Sequence, residues 1–411
     1  MKHRLAIDFG TTNTVIAHEA NQQVNILTLP DLSEPGYETI PSLLYIRDGI
    51  SEQSVAGYAV KREKLDRDQS NRLFRNFKRG IVTAPAPPPR LIDGTYWSDE
   101  DAGSLFFRHL LAALPYHADD IDQLVLTAPV AAFEGYLAWL TEVMEQQLPD
   151  LARIRLVDES TAAALGYAVT EPGAVVLVFD FGGGTLDLSL VQLPESKEKT
   201  GSFLGRFHAP TAQTARVIAK VGRVLGGSDI DQWLLAEVLH RVDLTPEALG
   251  IDYAAALTAC EQAKIALSSE DMVSLNFTVS GQDYTISLTR SDLESVLEHN
   301  GFYAALRHSL DKAMATARQQ GIFQEDIRYV LMVGGVSLMP SVQAALNRYF
   351  TETAIRADRP FTAVVEGALL VAQGCGLDDY LSHSYGLRYL SAGSDQHQYD
   401  ELIPMGTRYP T

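Results

Sequence analysis

Twice in this chain an apolar run closes on Asp-Phe-Gly and is followed by small residues: RLAIDFGTTNTVIA from Arg4 to Ala17, and VLVFDFGGGTLDLSL from Val176 to Leu190. Glycine and small hydroxyl residues let backbone N–H groups approach a ligand closely, and rows of such donors suit phosphate oxygens. Asp8 and Asp180 would repel a bare polyphosphate. The pair therefore calls for a hard cation such as Mg²⁺, held through water between the carboxylates and the phosphates. One strand ending in an Asp-Gly turn is more often an ordinary hairpin, but the repetition, with Gly182, Gly183, Gly184 and Thr185 in the second copy, favours a ligand site.

Other residues carry weaker signals. Glu159 closes an apolar strand and precedes a helix, where α/β folds present groups to ligands; the alternative is an acid favoured by the helix dipole. Lys78 lies in the basic stretch KREKLDRDQSNRLFRNFKRG and taken alone reads as a solvated surface lysine. Glu261, Lys264 and Ser268 share one helical stripe, either facing a ligand or exposed with an internal ion pair. Cys260 and Cys375 are the only cysteines, too few for a disulfide framework or a zinc site, and read as ordinary buried thiols.

The elements that must hold these groups follow from hydrophobic period. Strands are expected at Arg4 to Asp8, Thr14 to His18 and Val24 to Leu29, then at Gln123 to Pro129 and Ile154 to Ser160, each of the last two leading into a helical pattern. The second half repeats this order through the DFGGGT hairpin, Ile327 to Gly335, PSVQAALNRYF, TAIRADRP and TAVVEGALLVA, and its last helix starts at Thr362 as the first half's starts at Thr161. The interval between these threonines exceeds that between the aspartates, so the second half carries extra insertion. A duplicated β-β-β-α-β-α unit results, an α/β fold with two lobes around a cleft. Lobe I is expected over 1–170 (core 1–39 and 99–170, inserted subdomain 40–98), and lobe II over 171–376 (core 171–226 and 291–376, inserted subdomain 227–290). The proline run Ala84 to Arg90 reads as an exposed extended loop, and Glu195 to Gln213 as a long loop.

A chain of 411 residues, 46% of them hydrophobic, can bury cores for about two or three domains. Its net charge of −19, from 33 basic and 52 acidic side chains, opposes nonspecific binding to nucleic acid or an anionic membrane. No apolar run approaches the ~18 residues of a membrane span, and no export signal is read, so a reducing cytoplasm is the expected setting.

Seven motifs then occur in one order: DFGTTNT at Asp8, IPS at Ile40, DESTAAALGYA at Asp158, DFGGGTLDLSL at Asp180, LGGSDID at Leu225, CEQAKIALSS at Cys260 and VLMVGGVSLMP at Val330. Together they resemble the nucleotide-binding domain of the seventy-kilodalton heat-shock chaperones, the DnaK family, over roughly residues 4 to 373. The resemblance implies the actin-like, ribonuclease H-like ATPase fold, ATP or ADP with Mg²⁺ as ligands, K⁺ as a further candidate ion, and slow ATP hydrolysis in the service of protein folding. It also implies a J-domain protein and a nucleotide-exchange factor as partners. By the same resemblance Gly10, Thr11, Thr12 and Asn13 hold phosphates from one side, and Gly182, Gly183, Gly184 and Thr185 from the other. Thr185 assists at the γ-phosphate, Asp8 and Asp180 accompany the metal, Lys78 orients the attacking water and Glu159 couples that site to the lobes. Gly226, Gly227, Ser228, Gly334 and Gly335, with Glu261, Lys264 and Ser268, meet the nucleoside. A nucleotide-gated scaffold without catalysis, or a small-molecule kinase using Asp180 or Asp187 as base, are the other readings.

The departures from the family pattern concentrate at the base and beyond it. Ile265 and Leu338 stand where arginines sandwich adenine, and Val336 replaces a serine. Losing guanidinium stacking of ~1–2 kcal/mol per face predicts nucleotide affinity lower by roughly one to two powers of ten. Phe361 replaces an acid and Ser160 a proline; Pro129 matches the family's switch proline, but no arginine stands on the helix after it. The phosphate and magnesium residues are kept. After Gly376, LDDYLSHSYGLRYL faintly echoes the family's linker, and residues 377–411 resemble the first strands of its peptide-binding β-domain, too few to complete that sandwich or hold client peptides. The sequence therefore reads either as a piece of a longer protein or as a chain whose tail has some other docking role.

Overall fold

The computed structural model describes residues 3–20, 23–68, 70–83, 85–129, 134–148, 154–167, 171, 173–193, 214–351, 353–373, 376–380, 385–390, 397–403 and 408–409. Cys375 and the loop read at Glu195 to Gln213 lie outside the described residues. The chain is mixed α/β, and two sheets dominate it.

The first sheet contains β1 (His3–Phe9), β2 (Asn13–Ala20), β3 (Gln23–Ile26), β4 (Ile121–Ala128) and β5 (Ile154–Asp158) in the order β5-β4-β1-β2-β3, with Ile40–Pro41 paired to β2. The second contains β6 (Val175–Phe181), β7 (Leu186–Gln192), β8 (Thr214–Arg223), β9 (Ile327–Val333) and β10 (Ala354–Arg356) in the order β10-β9-β6-β7-β8. Pairing directions match as well. β1 and β2 are antiparallel, as are β6 and β7, while β1, β4 and β5 are mutually parallel, as are β6, β9 and β10. Asp8 and Asp180 occupy the same penultimate position of equivalent strands.

Burial explains the sequence pattern. All of β6 is buried, because an inner strand covered on both faces reads as a continuous apolar run. Its alternate residues serve different cores: Leu177, Phe179 and Phe181 join one with Phe302 and Leu188, while Val176 and Val178 join another with Ala6, Val125 and Leu331. A third core surrounds Leu5, Ile7 and Phe9 with Phe106, Phe107 and Trp139.

The connections carry helices α1 (Phe77–Val82), α2 (Asp99–Ala112), α3 (Glu134–Gln147), α4 (Glu159–Gly166), α5 (Gly227–Arg241), α6 (Tyr253–Ala266), α7 (Phe302–Gln319) and α8 (Ala363–Ala372). Helices α4 and α8 meet in the core shared by the two sheets. A Cβ on Gly166 would stand 1.7 Å from the carbonyl oxygen of Ala363, and one on Gly367 would stand 1.7 Å from that of Ala162. The same interval separates Ala162 from Ala363, Gly166 from Gly367 and Thr161 from Thr362, so the two halves grip each other reciprocally at this crossing. Backbone cannot yield as a flexible side chain can. Gly367→Ala is therefore expected to destabilise by roughly 1–3 kcal/mol or more, as overpacking does; an unchanged melting temperature would contradict the close crossing.

Two segments stand outside the sheets' repeat. Strands Leu43–Asp48, Gln53–Ala56 and Leu73–Arg75 form a small sheet of their own, and Met272–Val279 pairs with Gln282–Thr289 beside α6. The proline-rich stretch before Arg90 is exposed and lies outside helices and strands across its described residues. Past Gly376 the structure differs from the expected linker. Gly376–Tyr380 forms β11, which pairs parallel with β8 on one side and antiparallel with Arg408–Tyr409 on the other, extending the second sheet. Tyr385–Leu390 and His397–Ile403 make a separate hairpin.

Candidate functional site

The ends of β1 and β6 bring the two glycine turns face to face. The second turn closes on itself through the Gly182 N–H donating to the Thr185 carbonyl at 3.1 Å. It is supported from behind by the start of α5, where Gly227 and Ser228 donate backbone N–H groups to the carbonyls of Gly182 and Gly183 at 3.0 and 2.8 Å. The first turn is tied by Ser42, whose N–H donates to the Thr12 carbonyl and whose hydroxyl donates to the Gly10 carbonyl, both at 2.8 Å. The turns touch: a Cβ on Gly183 would lie 2.1 Å from the Thr12 hydroxyl oxygen. Between and above them is a cavity of about 470 Å³, within the range of small-ligand sites.

At the cavity floor the charged groups are buried. Lys78 on α1 and Glu159 at the start of α4 are 4% and 7% exposed and pair at 2.5 Å. This corrects the reading of Lys78 as a solvated surface residue: α1 turns it inward against the Phe9 ring, 5.6 Å from the ring centre. Burial would lower the Lys78 pKa, but Glu159, with Tyr136 and Asp8 adding to it, raises it above the ordinary lysine value. Asp8 accepts a 2.6 Å hydrogen bond from the Thr127 hydroxyl. Burial, reinforced by Glu159, nevertheless pushes Asp8 up to about 7. Asp180 is raised well above the carboxylate range by burial together with Glu159, Asp187 and Asp8.

Asp187 faces Asp180 across the hairpin and is completely buried. Burial with the Glu159 charge pushes it up to about 7, against the opposing effect of a hydrogen bond to Thr185. Four carboxyl groups thus share one ammonium. That imbalance, with a fully buried carboxyl behind Asp180, fits a divalent cation. Among the described residues no three acidic, histidine or cysteine side chains are arranged as a direct metal cage. The donor set therefore suits Mg²⁺, which commonly keeps its waters and leans on one or two carboxylates plus ligand phosphates.

Glu159 is positioned from both sheets. Asp158 caps α4 by accepting from the Thr161 N–H at 2.8 Å, and Lys220 of β8 holds the other Asp158 oxygen at 3.0 Å. Across the mouth, Arg79 of α1 makes two hydrogen bonds to Asp229 of α5, at 3.0 and 2.8 Å, and Arg75 donates to the Thr258 hydroxyl of α6 at 2.9 Å.

The far end is less polar. Lys264 is turned to Asp231 at 2.7 Å and to the Gly227 carbonyl at 3.1 Å, so it does not pair along the helix with Glu261. Asp231 is pushed up to about 6 by burial despite that lysine, and buried Cys260 up to about 12, again by burial. Gly334 adopts a φ of 80° and its N–H donates to the Pro360 carbonyl at 2.8 Å; only glycine takes this conformation freely.

Of the residues singled out from sequence, the cavity wall includes Asp8, the Gly10 to Asn13 turn, Lys78, Glu159, Asp180, the Gly182 to Thr185 turn, Gly227, Glu261, Lys264, Ile265, Ser268, Gly334, Gly335, Val336 and Leu338. Gly226 and Ser228 stand behind it, bracing the second turn. Sequence reasoning did not single out Val15, Met339, Pro360 or Val364 for the wall. Their only local signal was adjacency to the glycine turns and to the start of the last helix.

Fold and cavity together define a mixed α/β protein whose two like sheets enclose a glycine-walled, carboxylate-floored ligand site. A profile of the Hsp70 protein family matches residues 145–377, more than half of the chain, and the chain belongs to the Hsp70 family. Members of that family are chaperones whose nucleotide-binding domains generally bind ATP and ADP with Mg²⁺, hydrolyse ATP and work with co-chaperones. No helix among the described residues is long and apolar enough to cross a membrane.

Proposed function

We propose that this chain binds ATP and ADP with Mg²⁺ and slowly hydrolyses ATP as the nucleotide-binding domain of a DnaK-like chaperone. The two sheets then form the two lobes of an actin-like ATPase, 1–170 and 171–376, with the nucleotide between them. The observation that carries this reading is the contact of the two glycine turns above a floor of paired Lys78 and Glu159 flanked by Asp8 and Asp180.

In this reading the turn N–H groups receive the phosphates, and Thr185 holds the γ-phosphate. Lys78, fixed by Glu159, orients the attacking water for in-line displacement. Bound Mg²⁺ would supply neutralisation of phosphate charge near Asp8 and Asp180. A J-domain protein and a nucleotide-exchange factor are the partner classes that fit, in a cytoplasmic setting. Thr185→Ala should lower single-turnover phosphate release at least about tenfold while ATP binding stays within a few fold, since it removes a contact to the reacting phosphate only. Unchanged turnover would overturn the catalytic assignment.

A scaffold reading is favoured by the arginine-free base end, where Ile265 and Leu338 stand in the wall; tight ATP binding with no phosphate release by the wild type would select it. A small-molecule kinase finds less support. Asp187, one of its two candidate bases, is fully buried and absent from the cavity wall.

A further inference from the structure

Phe361 is the one aromatic side chain among the described residues lining the cavity, and it is 39% exposed. Its backbone is held in place by its neighbour, since the Pro360 carbonyl accepts from the Gly334 N–H at 2.8 Å. Its ring stands beside the glycine turn: a Cβ on Gly335 would meet the ring's Cε1 and Cζ at 3.8 and 4.0 Å. The cavity wall also includes Ile265, 61% exposed on α6, and half-buried Leu338, which lies three residues past Gly335.

Among the described residues lining the cavity, no lysine is left without an acidic partner. The two lysines in the wall, Lys78 and Lys264, are already in ion pairs at 2.5 and 2.7 Å. The Ser268 and Ser269 hydroxyls donate back to helix carbonyls at 3.4 and 3.2 Å. An open aromatic ring in a cavity wall with aliphatic side chains, its serine hydroxyls and lysines engaged, is suited to a flat, uncharged ring system. It would be held by stacking and dispersion rather than by charge.

We propose that Phe361 stacks on the base of the bound nucleotide, making it the residue that sets affinity for the nucleoside end. This rests on the reading of the cavity as a nucleoside-phosphate site. Base-on-aromatic contacts are sequence-tolerant, because every base presents a π-face. Bicyclic bases offer more area to the ring than monocyclic ones, so purine nucleotides are favoured over pyrimidine nucleotides.

Calorimetric titration of MgATP and of Mg²⁺ with inorganic tripolyphosphate into the wild type, Phe361→Ala, Phe361→Leu and Phe361→Trp tests this, with melting curves recorded for each protein. Phe361→Ala is expected to weaken ATP binding on the order of tenfold, the range of one base–aromatic stack. Phe361→Leu should recover only part of that loss and Phe361→Trp nearly all of it, while tripolyphosphate binds all four proteins alike. ATP affinity in Phe361→Leu equal to wild type would overturn the proposal, as would parallel loss of tripolyphosphate binding. Failure of the wild type to bind either ligand would instead overturn the nucleoside-phosphate reading on which it stands.

Discussion

Lys78→Ala is expected to hydrolyse ATP at least about a hundredfold more slowly than the wild type, the scale of losing a positioned catalytic group. It should also lose stability when metal-free, by roughly 3–5 kcal/mol, because one partner of a buried ion pair is removed and the other is left behind. The second effect has a specific source. Lys78 opposes the upward shifts of Asp8, Asp180 and Asp187, so without it four buried carboxyl groups face one another with no cation. The two effects separate in the double variant Lys78→Met with Glu159→Gln. Removing both charges restores much of the stability, since replacing a whole buried pair by neutral groups is often near neutral. Turnover stays low, because the group that orients water is still missing. Phosphate-release rates and urea midpoints for the wild type, both single variants and the double variant measure this. Wild-type turnover in Lys78→Ala would refute the assigned role, and a double variant no more stable than the singles would refute the electrostatic account.

The same lysine marks where sequence reading runs out. In KREKLDRDQSNRLFRNFKRG, Lys78 is one base among several, and nothing local distinguishes the one that turns inward. Its burial is set by Glu159 and Phe9, far away in sequence. The strands around Asp8 and Asp180 were legible because short apolar runs closed by glycine turns are local features, and the register pairs them as the sequence suggests. The repeat was legible too, since the matching Thr161 and Thr362, in the first turn of α4 and immediately before α8, mark helices that cross through Gly166 and Gly367. Phe361 was visible only as a departure from a pattern. Its place in the wall depends on the hydrogen bond between Gly334 and Pro360, a tertiary contact that neither stretch announces. The braces to Asp229 and Asp158 are likewise pairings of ordinary surface-type residues across segments, without a local signature.

In the absence of metal, the stability of the protein should fall as pH rises from about 4 to about 7, opposite to the trend of a chain whose acids are salt-bridged. Asp8 and Asp187 have an ordinary value of 3.8 and are each raised to about 7 in the folded protein, chiefly by burial, and Asp180 shifts the same way. Across that window the folded state keeps protons that the unfolded chain has released. Their stabilising contribution is complete below the unfolded value and gone above the folded one. For the coupled set this amounts to something on the order of 5 kcal/mol, or roughly 5–10 °C of melting temperature. A divalent cation with nucleotide favours the ionised carboxylates and expels those protons, so the stabilisation it confers should grow with pH over the same interval. Melting curves from pH 5 to 8 in EDTA and in Mg²⁺ with ADP should therefore diverge upward, and Asp8→Asn, which cannot ionise, should flatten the EDTA curve and narrow the divergence. Parallel curves in the two buffers would mean that the carboxyl cluster and the ligand do not share a site.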